Sequence, residues 1–201
     1  NTEGSVMSRG AYLARKAKAR QQKSKRTKSR AAQRIRGTDS KSIVKKQSNK
    51  LEKEFKTASD DRKKEIVKEI IKSGKGPDYF INNYCRISHP LKGLIPFRTF
   101  DYQDELLKDF NDHRFTVILK ARQLGISTIV AAYVVWLMLF HRDKNILVMA
   151  TKFSTAANLV KKVKAIMRNL PPWIRIASIS VDNRTSFELS NGSQIKATST
   201  S

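Results

Sequence analysis

Nine residues between two apolar runs hold the side chains best suited to chemistry: Lys120-Ala121-Arg122-Gln123-Leu124-Gly125-Ile126-Ser127-Thr128. Two cations, a glycine and two adjacent hydroxyls at this spacing fit the capture of a phosphate. A phosphate needs backbone N–H groups at a helix N-terminus, a cation, and a hydroxyl that holds Mg2+ beside it. The pattern G-x-x-x-x-G-K-[ST] meets these needs in one loop. Gly125 and Ser127 stand at its second glycine and its hydroxyl position, Lys120 stands at its first glycine, and Ile126 stands where lysine belongs. The strict pattern therefore fails. The physical requirements are still met if Lys120 or Arg122 supplies the charge from the other end of the loop. An ordinary strand-to-helix turn with surface cations accounts for the same residues.

Such a loop needs a strand before it and a helix after it. Phe115-Thr116-Val117-Ile118-Leu119 is a continuous run of β-forming residues and predicts a strand covered on both faces. The stretch Ser127–His141 predicts a helix that is apolar nearly all round, and Ile146–Ala150 a second buried strand. Residues 154–170 predict an amphipathic helix with Ala156, Leu159, Val160, Val163, Ile166, Met167 and Leu170 on one face. Lys161, Lys162, Lys164 and Arg168 are expected to face away, and Pro171-Pro172 ends the helix. A strand at Ile176–Val181 follows. A hairpin then pairs Phe187 and Leu189 with Ile195 and Ala197 across Asn191-Gly192, a strong turn signal. Strand, helix, strand, helix, strand argues for an α/β fold with a mostly parallel sheet flanked by helices. In such sheets ligands bind beyond the carboxyl ends of the strands, where this loop is expected.

Upstream, residues 99–201 are preceded by a lead-in segment, residues 49–98. Residues 49–73 predict a largely solvated helix with Leu51, Phe55, Ile66 and Ile70 as its apolar positions, stopped by Ser73-Gly74-Lys75-Gly76-Pro77. Tyr79–Phe100 reads as aromatic, irregular and ordered, and Asp104–Asn111 as a short helix.

Charge points to a polyanion. The 201 residues carry 41 Lys+Arg against 17 Asp+Glu, a formal net charge of +24. Nucleic acid is the first partner such an imbalance fits, and an anionic membrane surface the second. Residues 1–50 hold 16 Lys+Arg and 2 acids, a net of +14, which leaves +10 on the rest. Residues 1–48 have too little apolar content to offset chain entropy and are expected to be a disordered basic tail. Within it the Ala-rich piece Ala11–Ala19 is a candidate for helix formation on a polyanion. The lone Cys85 excludes an internal disulfide and a cysteine metal cluster, which fits a reducing compartment. His89, His113 and His141 lack ligand spacing and read as structural or surface residues. The longest apolar run, Ile129–Phe140, is about half the length of a membrane span.

The order of these features resembles a known family. Lys120–Thr128 resembles the deviant Walker A of tailed-phage terminase large subunits, in which the lysine moves to the start of the loop. Tyr79-Phe80-Ile81, His89-Pro90-Leu91-Lys92-Gly93 and Ile95-Pro96-Phe97 look like the family's lead-in, and Phe100-Asp101-Tyr102-Gln103 is similar to its adenine-reading motif. Asn145–Ala150 is similar to its second motor strand, and Phe187–Ser193 to the hairpin before Walker B. The match spans roughly residues 77–201.

The resemblance implies a P-loop NTPase of the RecA/ASCE-like kind with ATP and Mg2+ as ligands. It places Gln103 on the adenine edge, while Tyr102 stacks on the base or packs. Lys120 becomes the displaced Walker lysine. Arg122 becomes an arginine finger within the chain, acting on charge in the transition state. Ser127 holds Mg2+, and Thr128 assists or caps the helix. Gln123, Gly125 and Ile126 complete the nucleotide-contacting loop. Ile126 departs from family members with lysine there, which leaves open whether Lys120 or Arg122 dominates. For the full-length protein the resemblance implies an ATPase and endonuclease that packages double-stranded viral DNA. Its partners are a portal protein and a small terminase subunit. It works as a homo-oligomeric ring in the host cytoplasm and transiently on the procapsid portal, with no membrane.

A P-loop ATPase also needs about four apolar residues followed by Asp and Glu, to position Mg2+ and the attacking water. No such run occurs in the 201 residues. The chain opens on Asn1 and stops at Ser201 within a strand-rich region, so we expect a fragment truncated before Walker B and inactive alone. Two other readings stay open: a helicase-like P-loop translocase, and a basic DNA-binding module with an inactive loop.

Overall fold

The computed structural model describes residues 59–89 and 91–200. The expected basic tail, its Ala-rich piece and the first part of the 49–73 helix lie outside the described residues.

Much of the Tyr79–Phe100 stretch, expected to be irregular, carries regular structure. Helix α1, Asp60–Lys75, starts on Asp60 and Asp61 and ends on Lys72 and Lys75, charges that complement its dipole. Gly76 breaks the chain into an extended step, and Pro77 opens α2, Pro77–Tyr84. The two helices are tied by one carboxylate. Tyr79 Oη donates to Glu69 Oε2 at 2.8 Å, and Tyr84 Oη donates to the same oxygen. The hydrogen bonds from Tyr84 and then Tyr79 lower the Glu69 pKa. An antiparallel hairpin follows, β1 (Arg86–His89) with β2 (Gly93–Pro96). His89 closes its turn by accepting the N–H groups of Leu91 and Lys92 on Nδ1, each at 3.2 Å. Cys85, between α2 and β1, is buried, and burial pushes its thiol pKa up.

Helix α3, Asp101–Asp112, begins three residues earlier than expected, so Tyr102 and Gln103 lie in its first turn. Residues 113–125 carry no regular secondary structure. Then come α4 (Ile126–Phe140), β3 (Asn145–Ala150), α5 (Phe153–Asn169) and a 3-10 turn at Pro172–Ile174. The strands β4 (Ile179–Asp182), β5 (Ser186–Leu189) and β6 (Gln194–Ser199) complete the described chain. The strand expected at Ile176–Val181 thus starts three residues later, and Ile176 is half exposed.

The fold is mixed α/β. Its main sheet runs β3-β6-β5-β4. Only β3 and β6 pair in parallel, with Asn145 opposite Gln194 and Ala150 opposite Ser199. The β5–β6 and β4–β5 pairs are antiparallel, so the expectation of a mostly parallel sheet is corrected.

The expected strand at Phe115–Leu119 is corrected too. That run carries no ladder pairing, and Val117 and Leu119 are fully exposed. Strand-forming side chains supply a preference, but a strand exists only with a neighbour to take its backbone hydrogen bonds. Among the described residues β3 pairs with β6 alone, and nothing pairs with residues 115–119. Leu147 and Met149 on β3 are also more than half exposed.

The core forms between the sheet and the helices. Phe187, Leu189, Ile195 and Ala197 meet Val160, Val163, Ile166 and Met167 of α5, and α4 adds Ile129, Val135, Met138 and Leu139. Each of these Val, Leu, Ile, Met and Phe side chains contributes about 1.5–3 kcal/mol when fully buried. Trp136 of α4 reaches α1 by donating Nε1–H to the carbonyl of Ser73 at 2.9 Å. The Asn191-Gly192 turn is welded to the end of α4. Asn191 Nδ2 donates to Met138 O at 2.8 Å, and Ser193 Oγ donates to His141 O at 2.8 Å. Gly192 has φ +82°, and a Cβ there would strike the Asp143 carboxylate.

One of the basic residues expected on the outer face of α5 turns inward. Lys164 is buried and lies 2.8 Å from Asp182 Oδ1 of β4, while Arg168 pairs with the other carboxylate oxygen. Lys164 also donates to the carbonyl of Asn183. Burial would raise the Asp182 pKa, but the hydrogen bonds and charge of Lys164 and Arg168 outweigh it and hold the carboxyl below its ordinary value. A depressed carboxylate adds stability above its unfolded pKa of about 3.9 and loses it as pH falls through the folded value. The side chains are 10% and 21% exposed, so the pair is only partly screened. We expect Asp182→Asn to destabilise the fold by about 1–3 kcal/mol near neutral pH, because Lys164 is left buried without its counter-charge. In thermal melts the gap between wild type and variant should stay constant down to about pH 4.5 and close below it. A gap that persists unchanged at lower pH would show that the ion pair is not its origin.

Candidate functional site

The loop between α3 and α4 is built around two left-handed backbone positions, Gln123 with φ +66° and Gly125 with φ +69°. Glycine occupies this region freely, whereas glutamine there costs about 1–2 kcal/mol. Gly125 is the N-cap of α4, and its carbonyl accepts the N–H groups of Thr128 at 2.8 Å and Ile129 at 3.1 Å. The N–H groups of Ile126 and Ser127 precede these and have no intrahelical acceptor. The first turn of α4 contains no acid, so its positive dipole end is not neutralised locally. Ser127 is exposed on this turn and Thr128 half-buried.

The first turn of α3 holds the loop from beneath. Tyr102 Oη donates to the carbonyl of Leu124 at 2.8 Å, and Gln103 Nε2 donates to the same oxygen at 3.3 Å. Gln103 Oε1 accepts the N–H of Phe100 at 3.3 Å, as a Gln at the third helical position commonly does. Gln103 is only 1% exposed, and both ends of its amide are spent inside the protein. A Cβ on Gly125 would lie 2.9 Å from Gln103 Nε2. Glycine is therefore required at 125 for its backbone angle and for this close approach. Phe100 and Tyr102 stack with ring centroids 5.7 Å apart and planes within 7°, and both rings are substantially exposed.

The cations are arranged less tightly. Lys120 and Arg122 are exposed, and Lys120 Nζ rests 3.4 Å from the carbonyl of Ala121. Arg122 makes no hydrogen bond or ion pair among the described residues, and neither cation is hydrogen-bonded to Ser127. A third cation reaches the helix start from α5: Lys162 Nζ donates to Thr128 Oγ1 at 3.3 Å. Sequence reasoning placed Lys162 on an outward face of α5 without a partner. Helical periodicity gives the face, and only the packing of α5 on α4 brings that face to Thr128.

The residues fit a phosphate group. They offer free N–H groups at a helix start, an exposed hydroxyl at Ser127, and three lysine or arginine side chains on or beside the loop. They fit Mg2+ through Ser127 alone, so the remaining ligands would be phosphate and water oxygens. Among the described residues there is no group of three or more His, Cys, Asp or Glu able to hold a metal. As placed here, the Gln103 amide has no free edge for a purine. The exposed Phe100–Tyr102 pair offers an apolar face beside the loop.

No protein-family model matches the chain. Its fold is similar to that of the HK97 bacteriophage large terminase, with a TM-score of 0.50 and 18% sequence identity. The likeness covers 63% of this chain and 27% of that one, so the chain spans about a quarter of the length of the protein it matches. At this identity the likeness is one of fold.

Proposed function

We propose that this chain is the nucleotide-binding front part of a terminase-type motor that packages viral DNA with ATP. The observation that carries the reading is a loop of left-handed backbone with a bare helix start and nearby cations, on a fold similar to a phage large terminase. In this reading the N–H groups of Ile126 and Ser127 bind phosphate oxygens, and Ser127 Oγ holds Mg2+. The metal, when bound, neutralises charge on the β and γ phosphates. Lys120 faces the ground-state phosphates and Arg122 the charge that grows in the transition state. The basic residues 1–50 track the DNA backbone without reading sequence. The ring assembly, the portal and small-subunit partners, the endonuclease and the work at the procapsid in the host cytoplasm belong to the complete protein.

The alternative of a DNA-binding module with an inactive loop draws on Ile126, which replaces the usual lysine. Nucleotide titration separates the two. The chain should bind a fluorescent ATP analogue saturably in Mg2+, and unlabelled ATP and inorganic triphosphate should displace it. Ser127→Ala should weaken the Mg2+-dependent part about tenfold, the worth of one metal contact or charge-assisted hydrogen bond. Binding equal to that of a Lys120→Ala, Arg122→Ala double variant would favour the inactive module.

A further inference from the structure

We infer that Tyr102 and Gln103 set the conformation of the phosphate loop, acting as positioning residues through the Leu124 carbonyl. The inference deepens the nucleotide-site reading and rests on it for its ligand.

The argument begins with one peptide unit. The Leu124 carbonyl and the Gly125 N–H belong to the same planar trans amide and point in opposite directions. An oxygen pinned on one side therefore aims that N–H to the other. Leu124 O accepts two donors, Tyr102 Oη at 2.8 Å and Gln103 Nε2 at 3.3 Å, so both of its lone pairs are committed. The N–H of Gly125 is thereby turned away from these two donors, and the N–H groups of Ile126 and Ser127, which have no intrahelical acceptor, follow it at the helix start.

The anchor is rigid. Gln103 is 1% exposed and its Oε1 is held by the Phe100 N–H. With a donor needed at Leu124 and an acceptor needed at Phe100, only one orientation of the amide satisfies both. Tyr102 is stacked on Phe100, which limits the sweep of its ring. The loop supplies the complement. Its left-handed angle at Gly125 and the absence of a Cβ let the backbone approach Gln103 closely. A loop that binds a polyanion must hold several N–H groups parallel against their mutual repulsion. Two hydrogen bonds from a neighbouring helix provide that preorganisation before the ligand arrives.

A positioning role and a base-reading role make different demands on selectivity. A residue that reads adenine matters for ATP and little for a ligand without a base. A residue that sets the loop matters equally for every triphosphate.

The test compares Tyr102→Phe, which removes one hydroxyl from a half-exposed ring, with Gln103→Met, which keeps the volume of a buried side chain. Binding of ATP, GTP and inorganic triphosphate in Mg2+ is measured for each, and amide hydrogen exchange is followed without ligand where the loop enters α4, at Thr128 and Ile129, whose N–H groups are bonded to the Gly125 carbonyl. Each variant should weaken all three ligands by the same factor, about tenfold for one lost hydrogen bond, and speed exchange there by a similar factor. Loss confined to ATP, with triphosphate binding and loop exchange unchanged, overturns the inference in favour of adenine reading. If the wild-type chain binds none of the three ligands, the nucleotide reading fails. The exchange data then decide the inference alone: faster loop exchange in both variants sustains it, and unchanged exchange overturns it.

Discussion

Raising monovalent salt from ~50 to ~200 mM should weaken DNA binding by the chain about a thousandfold or more. The first 50 residues carry 16 Lys+Arg against 2 acids, and no apolar pattern gives those charges another task. A cation that neutralises a DNA phosphate releases a condensed counterion, so log K falls with log salt by roughly 0.9 per contact. Six to ten contacts, about half of the available cations, yield a loss of ~10^3- to 10^5-fold over that range. The effect should be concentrated in the segment from Arg15 to Arg30, which holds nine Lys and Arg and no acid. Replacing those nine with Gln should remove most of the slope, while the net +10 of residues 51–201 sustains a weaker residual binding. Sequence-scrambled duplexes should bind as well as any other. A flat salt response of the unaltered chain would remove DNA as the partner of this segment.

On the nucleotide-site reading proposed above, Arg122→Ala should lower ATP turnover about a thousandfold in the complete protein while changing ATP affinity little. Arg122 lies mid-loop, exposed and unpartnered among the described residues, one step before the left-handed turn that begins at Gln123. Its planar fork suits two phosphate oxygens at once, and such a geometry favours the transition state, where charge spreads over the transferred group. Lys120→Ala should do the reverse. Its ammonium rests loosely on the Ala121 carbonyl and is free to turn to the ground-state phosphates, so its loss should raise the dissociation constant for ATP. Lys162, held 3.3 Å from Thr128 Oγ1, is a further cation at the start of α4 and limits how far that loss can go. Ile126→Lys should partly rescue Lys120→Ala, because it returns a cation to the helix start. Single-turnover hydrolysis and equilibrium binding, measured separately, decide the assignment. If Arg122→Ala raises KM and leaves kcat intact, Arg122 binds ground state and transition state alike, and the finger role is wrong.

Much of the fold was legible because its signals are local. The stretch Ser127–His141 is apolar nearly all round, which marks a helix set into the core, and the helix is found at Ile126–Phe140, within one residue at each end. Ala156, Val160, Val163 and Met167 recur with helical spacing, and α5 buries that face. Asn191-Gly192 between two alternating runs specified the β5–β6 hairpin, since few residues adopt the positive φ that the turn needs. The nine-residue loop was likewise visible in its composition: glycine, hydroxyls and cations at one helix start.

What the sequence could not determine was how these pieces meet. Phe115–Leu119 has every local mark of a buried strand, yet pairing is a relation between segments, and no described strand takes its hydrogen bonds. The family resemblance puts Gln103 on an adenine edge. Packing of α3 against the loop buries it and spends both of its ends on Phe100 and Leu124. Lys164 follows the same charge pattern as Lys161 and Lys162, but β4 places Asp182 beside it and draws it inward. Lys162 gains its place at Thr128 only because α5 lies along α4. Residue type and periodicity determine which side chains can hold phosphate and which faces seek the core. Hydrogen-bond partners more than a few positions apart are chosen by tertiary packing, because only the folded chain brings donor and acceptor within 3 Å or so of each other.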